Sequence, residues 1–395
     1  MTLKVRVRDD RRALISGLKA ENFEVKTTAA DRKEFQYSLT SPEMEIAPPD
    51  RVRPDPAYLI ILLDMSGSMK NRDRSGRVKL QGAIEGIQKF LETIETQKLP
   101  AEIALVPFGE GCANAYRVDR ETLQKSLEPA PYTGTKDRLD ELAKTEVCAS
   151  TNLYQPLDEA IDFLATSERF QTESSGTPPR LSVILFTDGF DADPDRDSEA
   201  RRFQDTLDLL ARFPRITVHT MGYGEPLDRL RARAHCRPDI DRQPLTVNNL
   251  LKYCKLPSGE DIREFIVDRD RLTAIARGTK EGIDRFPRSA AEVSRDLVEF
   301  LTALREYEIT YRQPTADRAT LHRAKVIVNA PDRGISSLVS EPHEFRLPNF
   351  LYRTLSVPER VAIFLGTIAA AAFGTRRFRA WSQQLKEQSR RNLQG

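Results

Sequence analysis

Residues 57–63 read Ala-Tyr-Leu-Ile-Ile-Leu-Leu, an apolar run of strand length with no polar position to mark a wet face. Such a strand is buried on both sides, which is the situation inside a parallel sheet covered by helices above and below. The pattern recurs in Leu181-Ser182-Val183-Ile184-Leu185-Phe186, with further strand candidates at Ile103-Ala104-Leu105-Val106 and Ile216–Met221. Between them lie helical repeats. Leu80, Ala83, Ile84, Ile87, Phe90, Leu91 and Ile94 stand at three-to-four spacing, followed by Leu157, Ile161 and Leu164, and by residues 203–213. Strands alternating with helices require crossover connections, so the expectation is an α/β fold with a doubly wound, mostly parallel sheet.

The rest of the chain is organised around this core. Residues 1–50 are β-rich: LKVRVRD alternates with period two, and Phe23-Glu24-Val25 and Phe35–Leu39 begin further short strands. Proline punctuates the passage to residue 57, where the core begins, and the core pattern runs to residue 305. Residues 225–268 break the rhythm with charge, proline and two cysteines and read as an insertion. Residues 306–346 turn β-like again. At 395 residues, two to three domains are expected. Lys and Arg total 61 against 59 Asp and Glu, a net charge of +2, so no global field recruits nucleic acid. With 39% hydrophobic and 30% charged residues, the composition excludes a disordered, collagenous or polytopic membrane chain.

The cysteines are Cys112, Cys148, Cys236 and Cys254, with no CxxC among them, which disfavours structural zinc and a redox dithiol. Their order suggests Cys112–Cys148 and Cys236–Cys254 disulfides, but spacing leaves all three pairings open, and buried free thiols explain them equally well.

Near the end, Val361–Gly374 is a run of 14 residues without a charge, followed by Arg376-Arg377-Phe378-Arg379 and Trp381. As a helix it spans about 21 Å, short of a hydrocarbon core of about 30 Å. Its lack of a polar face and its basic, aromatic flank nevertheless suggest a short anchor over residues 358–376, a single-pass membrane placement and a basic tail at 377–395. The start, MTLKVRVRDD, has no apolar signal segment. The basic tail would place the core outside the cytoplasm, with the cytoplasmic face as the other possibility.

The chemistry concentrates in three loops. Asp64-Met65-Ser66-Gly67-Ser68 follows the first apolar strand directly, Ser150-Thr151-Asn152-Leu153 precedes a helix, and Thr187-Asp188-Gly189 follows the strand LSVILF. In an open parallel sheet, loops at the carboxyl ends of neighbouring strands converge on one crevice. Asp64, Ser66, Ser68, Thr151 and Asp188 would therefore meet, with Gly67 allowing a tight turn between the serines. Two carboxylates and three hydroxyls make an incomplete all-oxygen shell suited to a hard divalent cation, Mg²⁺ first, then Mn²⁺ or Ca²⁺. Taken singly, an Asp-x-Ser-x-Ser run or Thr151 is more simply a helix cap.

Other features carry less. Asp191, Asp193, Asp195 and Asp197 have calcium-loop spacing, but Arg202 stands where such a loop needs glutamate, so they read as acids opening a helix. Ser66 and Ser68 are poor nucleophile candidates, because no histidine or lysine lies in the matching loops and GxSxG is absent; no enzymatic activity is expected. The stretch Arg229-Leu230-Arg231-Ala232-Arg233 reads as a solvated face.

In their order and spacing, DMSGS, STNL and TDG closely resemble the metal-ion-dependent adhesion site of the von Willebrand factor A family, over residues 57–305. The resemblance implies that Asp64, Ser66 and Ser68 form the first loop of that site, Thr151 the second and Asp188 the third, touching the ion directly or through water. It implies cation-dependent binding of a protein partner that supplies an acidic residue, as in cell adhesion. Cytoplasmic members that assemble with AAA-type ATPases offer an alternative function, and a structural envelope component with a vestigial site a third. The flanks LKVRVRDDRRALISGLKAENFEV and REYEITYRQPT…HRAKVIVNAP resemble the β-domain around bacterial members, implying β-sandwich-like elements built from both flanks. The fold expected overall is thus this Rossmann-like core with flanking β elements and a C-terminal apolar helix.

Overall fold

A computed structural model describes residues 1–346 apart from 11, 33, 53, 112–115, 146, 148–149, 172–178, 190, 192–194, 225–226, 258–261, 263–265, 303 and 313–320, and beyond them residues 375–379, 381–382 and 385. The chain separates into two compact units, Met1–Asn22 with Ser41–Tyr311, and Phe23–Thr40 with Arg312–Gly395.

The first unit begins with β1 (Thr2–Val5). Strands β2 (Phe23–Ala29) and β3 (Tyr37–Leu39) belong to the second unit, and the chain returns to the first at β4 (Met44–Ala47). The core then runs β5 (Ala57–Asp64), α1 (Lys79–Thr96), β6 (Ala101–Phe108), α2 (Arg120–Ser126), β7 (Leu127–Pro129), α3 (Thr133–Leu142), α4 (Tyr154–Thr166), β8 (Arg180–Thr187), α5 (Arg196–Arg212) and β9 (Ile216–Gly222). The insertion contributes α6 (Leu227–Arg233), β10 (His235–Cys236), α7 (Val247–Tyr253) and β11 (Cys254–Lys255). The unit closes with α8 (Arg269–Arg277), β12 (Asp284–Arg285), α9 (Ala290–Thr302) and β13 (Tyr307–Tyr311).

Among the described residues the central sheet has six strands in the order β12-β9-β8-β5-β6-β7. All neighbours pair in parallel except β7, which runs antiparallel to β6 at the edge. The unbroken apolar strands are explained by this arrangement, because alternate residues serve opposite faces. Leu59, Ile61 and Leu63 share one buried cluster with Ile84, Ile87 and Phe90 of α1 and Val293 and Leu297 of α9. Ile60 and Leu62 join the other, with Leu157, Ile161 and Leu164 of α4 and Leu272 and Ile275 of α8. Each such side chain contributes about 1.5–3 kcal/mol on burial. Helix α1 lies very close to α9: a Cβ added at Gly86 would fall 2.6 Å from Val293 Cγ1, so only glycine fits there.

Leaving β5, the chain goes first to β6 on one side and later to β8 on the other. The carboxyl ends of β5 and β8 therefore flank the topological switch point, where open α/β sheets form their crevice.

The flanks do pair with one another, but over both units. In the first unit β13 lies between β1 and β4, antiparallel to each. In the second, β14 (Leu321–Ala330) pairs antiparallel with β2, β15 (Ile335–Val339) and β16 (His343–Arg346), and β2 pairs with β3. The insertion has its own small apolar cluster of Leu230, Ile240, Leu250, Leu256, Ile262 and Ile266. A Cys236–Cys254 disulfide staples it across β10 and β11, so these two are not free thiols. Cys112 and Cys148 lie outside the described residues. Within the basic stretch, Arg231 pairs with Asp241.

The single-pass membrane expectation needs correction. Among the described residues no helix is long and apolar enough to cross a membrane. The apolar run 361–374 lies outside the described residues; at 14 residues it falls short of the span on length alone. Residues 375–379 are helical and exposed and carry Arg376, Arg377 and Arg379, so no apolar C-terminal helix is shown.

Candidate metal site

Asp64 is the last residue of β5 and is fully buried. Its Oδ1 accepts the Ser66 backbone N–H at 2.8 Å and its Oδ2 accepts the Thr187 hydroxyl at 2.6 Å. Those bonds lock the first loop to the end of β8. The chain then makes a short 3₁₀ turn, Gly67–Lys70, with Ser66 at its N-cap. Ser66 makes no side-chain cap bond, so its hydroxyl is not spent on the helix end. Ser66 Oγ and Ser68 Oγ lie 2.9 Å apart. Ser68 Oγ donates to Asp188 Oδ1 at 2.6 Å, and Ser66 Oγ lies 3.4 Å from the same oxygen. Gly67 is not what permits this turn. Its φ is not positive and a Cβ there would meet nothing within 4 Å, because a 3₁₀ turn needs only ordinary backbone angles.

Thr151 comes from the second loop. A Cβ built on Gly189 would stand 3.3 Å from Thr151 Oγ1 and 3.8 Å from Ser68 Oγ, so both hydroxyls face the bare backbone of the third loop. Thr151 does not cap α4: Leu153 is the N-cap, and its N–H is taken by Asp191 Oδ2 at 3.0 Å. Asp191 Oδ1 accepts from Arg202 at 2.9 Å. Glu110, just past β6, exchanges backbone bonds with Ser150 and accepts the Asn152 amide through Oε1 at 2.5 Å. The loop bearing Thr151 is thus held from both sides. Asp195 instead caps α5 through the Asp197 N–H, so these acids serve separate ends of structure; Asp193 lies outside the described residues.

Four residues missed in the sequence shape the site. Thr187 and Asp191 were in plain view beside Asp188 but not assigned to it. Glu110 had the signal of following a parallel strand's carboxyl end. The fourth is Lys79, whose Nζ donates to Asp188 Oδ2 at 2.5 Å. A lysine therefore does reach the serines' surroundings, contrary to the expectation from the loops, because α1 begins eleven residues after Ser68 and folds back over it. It bonds a carboxylate rather than a hydroxyl, which is not the arrangement of a base activating a nucleophile.

The electrostatics arise from burial. Desolvation, and then the charge of Asp188, push the Asp64 carboxyl up to about 7, against the hydrogen bonds from Thr187 and Ser66. A cation placed here would relieve that repulsion. Among the described residues no group of three or more His, Cys, Asp or Glu is placed to hold a metal ion. Any ion here would rely on hydroxyl oxygens, and the converging Ser66, Ser68 and Asp188 oxygens, with Thr151 beside them, fit a hard divalent ion.

No protein-family model matches the chain, and no curated protein matches it. Solved structures do. Proximal thread matrix protein 1 from the mussel byssus is 16% identical, with 63% of this chain and 49% of that one covered and a TM-score of 0.35. The chain thus spans about half the length of that protein, which has also been solved with a zinc-occupied MIDAS motif. BatB from Bacteroides thetaiotaomicron is 18% identical over 62% of this chain and 98% of that chain, with a TM-score of 0.34. The SpRpn10 VWA domain is 13% identical over 61% and 93%, also at 0.34. Structural neighbours therefore include von Willebrand factor A domains.

Proposed function

We propose that this chain is a divalent-cation-dependent protein-binding module whose ligand contributes a carboxylate. The observation that carries the reading is the meeting of Ser66, Ser68 and Asp188 oxygens within 2.6–3.4 Å of one another at the switch point of a doubly wound sheet. Ser66, Ser68 and Thr151 would hold the ion through uncharged oxygens, with Asp64 and Asp188 supplying the negative charge. Bound there, Mg²⁺ or Mn²⁺ would present positive charge and an exchangeable position to an acidic side chain. The protein's own contribution is preorganisation. Thr187 and the Ser66 N–H fix Asp64, while Glu110 and Asp191 hold the Thr151 loop. The serines act here as ligands rather than nucleophiles, and the module performs no bond chemistry of its own.

Calorimetric titration of Mg²⁺ and Mn²⁺ into the full chain tests this. Saturable binding near one ion per chain, abolished in Asp188→Ala and weakened in Thr151→Ala, is the expected result. A folded wild-type protein that takes up neither ion would sink the reading.

A further inference from the structure

Lys79 breaks a local rule. It is the first residue of α1, where the helix dipole presents partial positive charge and a cation is unfavourable. The helix compensates with neither an acidic residue in its first turn nor a side-chain cap. The Lys79 side chain is 3% exposed, and withdrawing an ammonium from water is costly unless it is closely paired. Its partner is Asp188, itself fully buried. Residues that break local rules and are supported by long-range contacts concentrate at functional sites.

The two oxygens of Asp188 have different duties. Oδ2 receives Lys79, and Oδ1 faces the hydroxyls of Ser66 and Ser68. Lys79 therefore bonds the Asp188 oxygen other than the one the two serine hydroxyls share. We propose that Lys79 is a positioning and specificity-determining residue of this site, a fixed cation that turns Asp188 toward the hydroxyls and cancels one of the two carboxylate charges. This rests on the cation-binding reading above. With Asp64 and Asp188 ionised, the two acids and Lys79 sum to one negative charge, so a loaded divalent site keeps one positive charge. A carboxylate-bearing ligand then closes the site at neutrality, whereas without Lys79 it would meet a neutral site and leave it negative. At the short distances and reduced dielectric of a buried site, one unit charge changes affinity by roughly tenfold or more.

The prediction has two opposite signs, which separates it from a merely structural role. Wild type, Lys79→Met, Lys79→Gln and Lys79→Arg would be compared as full chains. Mn²⁺ affinity is read by calorimetry, and acetate binding to the Mn²⁺-loaded protein by water-proton relaxation. Lys79→Gln and Lys79→Met should bind Mn²⁺ about tenfold more tightly and acetate about tenfold more weakly, while Lys79→Arg stays near wild type. Glutamine retains a hydrogen-bond donor for Asp188, which keeps the test valid if the methionine variant fails to fold. Wild-type Mn²⁺ binding with unchanged or uniformly weakened values in a folded Lys79→Gln overturns this inference and leaves the metal site standing. Absence of Mn²⁺ binding in all four folded proteins removes the metal reading and this inference together.

Discussion

The two ends of the central sheet both carry charged side chains, yet they are built in opposite ways. At the amino end, Arg180 of β8 bonds Glu306 at 2.5 Å and Asp55 at 3.5 Å; Arg6 pairs with Glu281 and Glu306, and Lys4 with Asp55 and Glu306. Of these, Arg6, Asp55, Arg180 and Glu281 border a cavity of about 280 Å³ together with His219, Arg215 and Lys280. Burial, with repulsion from neighbouring arginines, pushes the Arg6 and Arg8 guanidinium groups down to about 10. At the carboxyl end the hydroxyls bond one another and one shared carboxylate oxygen, and Lys79 bonds Asp188 while Asp64 is held by the Thr187 hydroxyl and the Ser66 N–H. Charge closed by protein partners leaves little for a ligand to complete, and removing one partner strands the other. A cluster of oxygens with excess negative charge is a place for a cation.

Substitutions at the two ends should therefore separate binding from stability. The largest effect is expected for Asp188→Ala, which should lower Mn²⁺ affinity by about a hundredfold or more, exceeding what loss of an outer-shell partner causes. Arg180→Met should leave that affinity within about twofold, and calorimetry on both variants decides whether the ends are functionally distinct. Arg180→Met should instead cost about 3 kcal/mol in urea unfolding, because Glu306, 3% exposed, loses its nearest cation. An unchanged midpoint would mean that the amino-end network is not what stabilises the fold.

The ends should also answer pH in opposite directions. Burial, reinforced by Arg8 and other arginines, pushes His219 down to about 3, so the unfolded chain binds its proton between roughly pH 3 and 6.5 while the folded protein does not. That contribution to stability is complete above about 6.5 and is lost as pH falls. Asp64, raised to about 7, works the other way: the folded protein holds the proton that the unfolded chain releases near 4, so its contribution is lost as pH rises from about 4 to 7. Thermal melts of the metal-free protein from pH 4 to 7.5 should show the acid-side loss flattened in His219→Gln and the neutral-side loss flattened in Asp64→Asn. Each change should be on the order of several degrees. Identical profiles in all three proteins would break the comparison.

The smallest effect tests the fit of the third loop. In Gly189→Ala the new methyl would lie 3.3 Å from Thr151 Oγ1, a contact tight enough to displace the hydroxyl. Mn²⁺ affinity should fall by about threefold, near 0.7 kcal/mol, with little change in melting temperature. A larger loss in melting than in binding would place the role of Gly189 in packing.

Much of this was legible along the chain because its signals are local. The runs 57–63 and 181–186 announce strands buried on both faces, and the helical spacing of Leu80 to Ile94 announces the cover over them. Loops directly after such strands must lie at the sheet's carboxyl end, which is why the meeting of Asp64, Ser66, Ser68 and Asp188 there was legible from position. The disulfide choice was not legible, since spacing permits every pairing and only the β10–β11 register puts Cys236 opposite Cys254. Nor was the fate of the flanks, whose alternating strands carry no label for the sheet they join; β1 and β2 are near neighbours in sequence and belong to different units.

By itself, then, the sequence determined the layered α/β core and the end of the sheet at which Asp64, Ser66, Ser68 and Asp188 come together. These depend on hydrophobic period and on residue type, both of which are read within a few residues. Only the tertiary structure decided that Lys79 bonds Asp188, that Asp191 and Glu110 hold the Thr151 loop, and that the arginines of the amino end are paired with acids. Those facts turn on side chains brought together across 38 to 300 residues of chain. No local pattern records such a meeting, because it is the packing of the sheet and its helices that creates it.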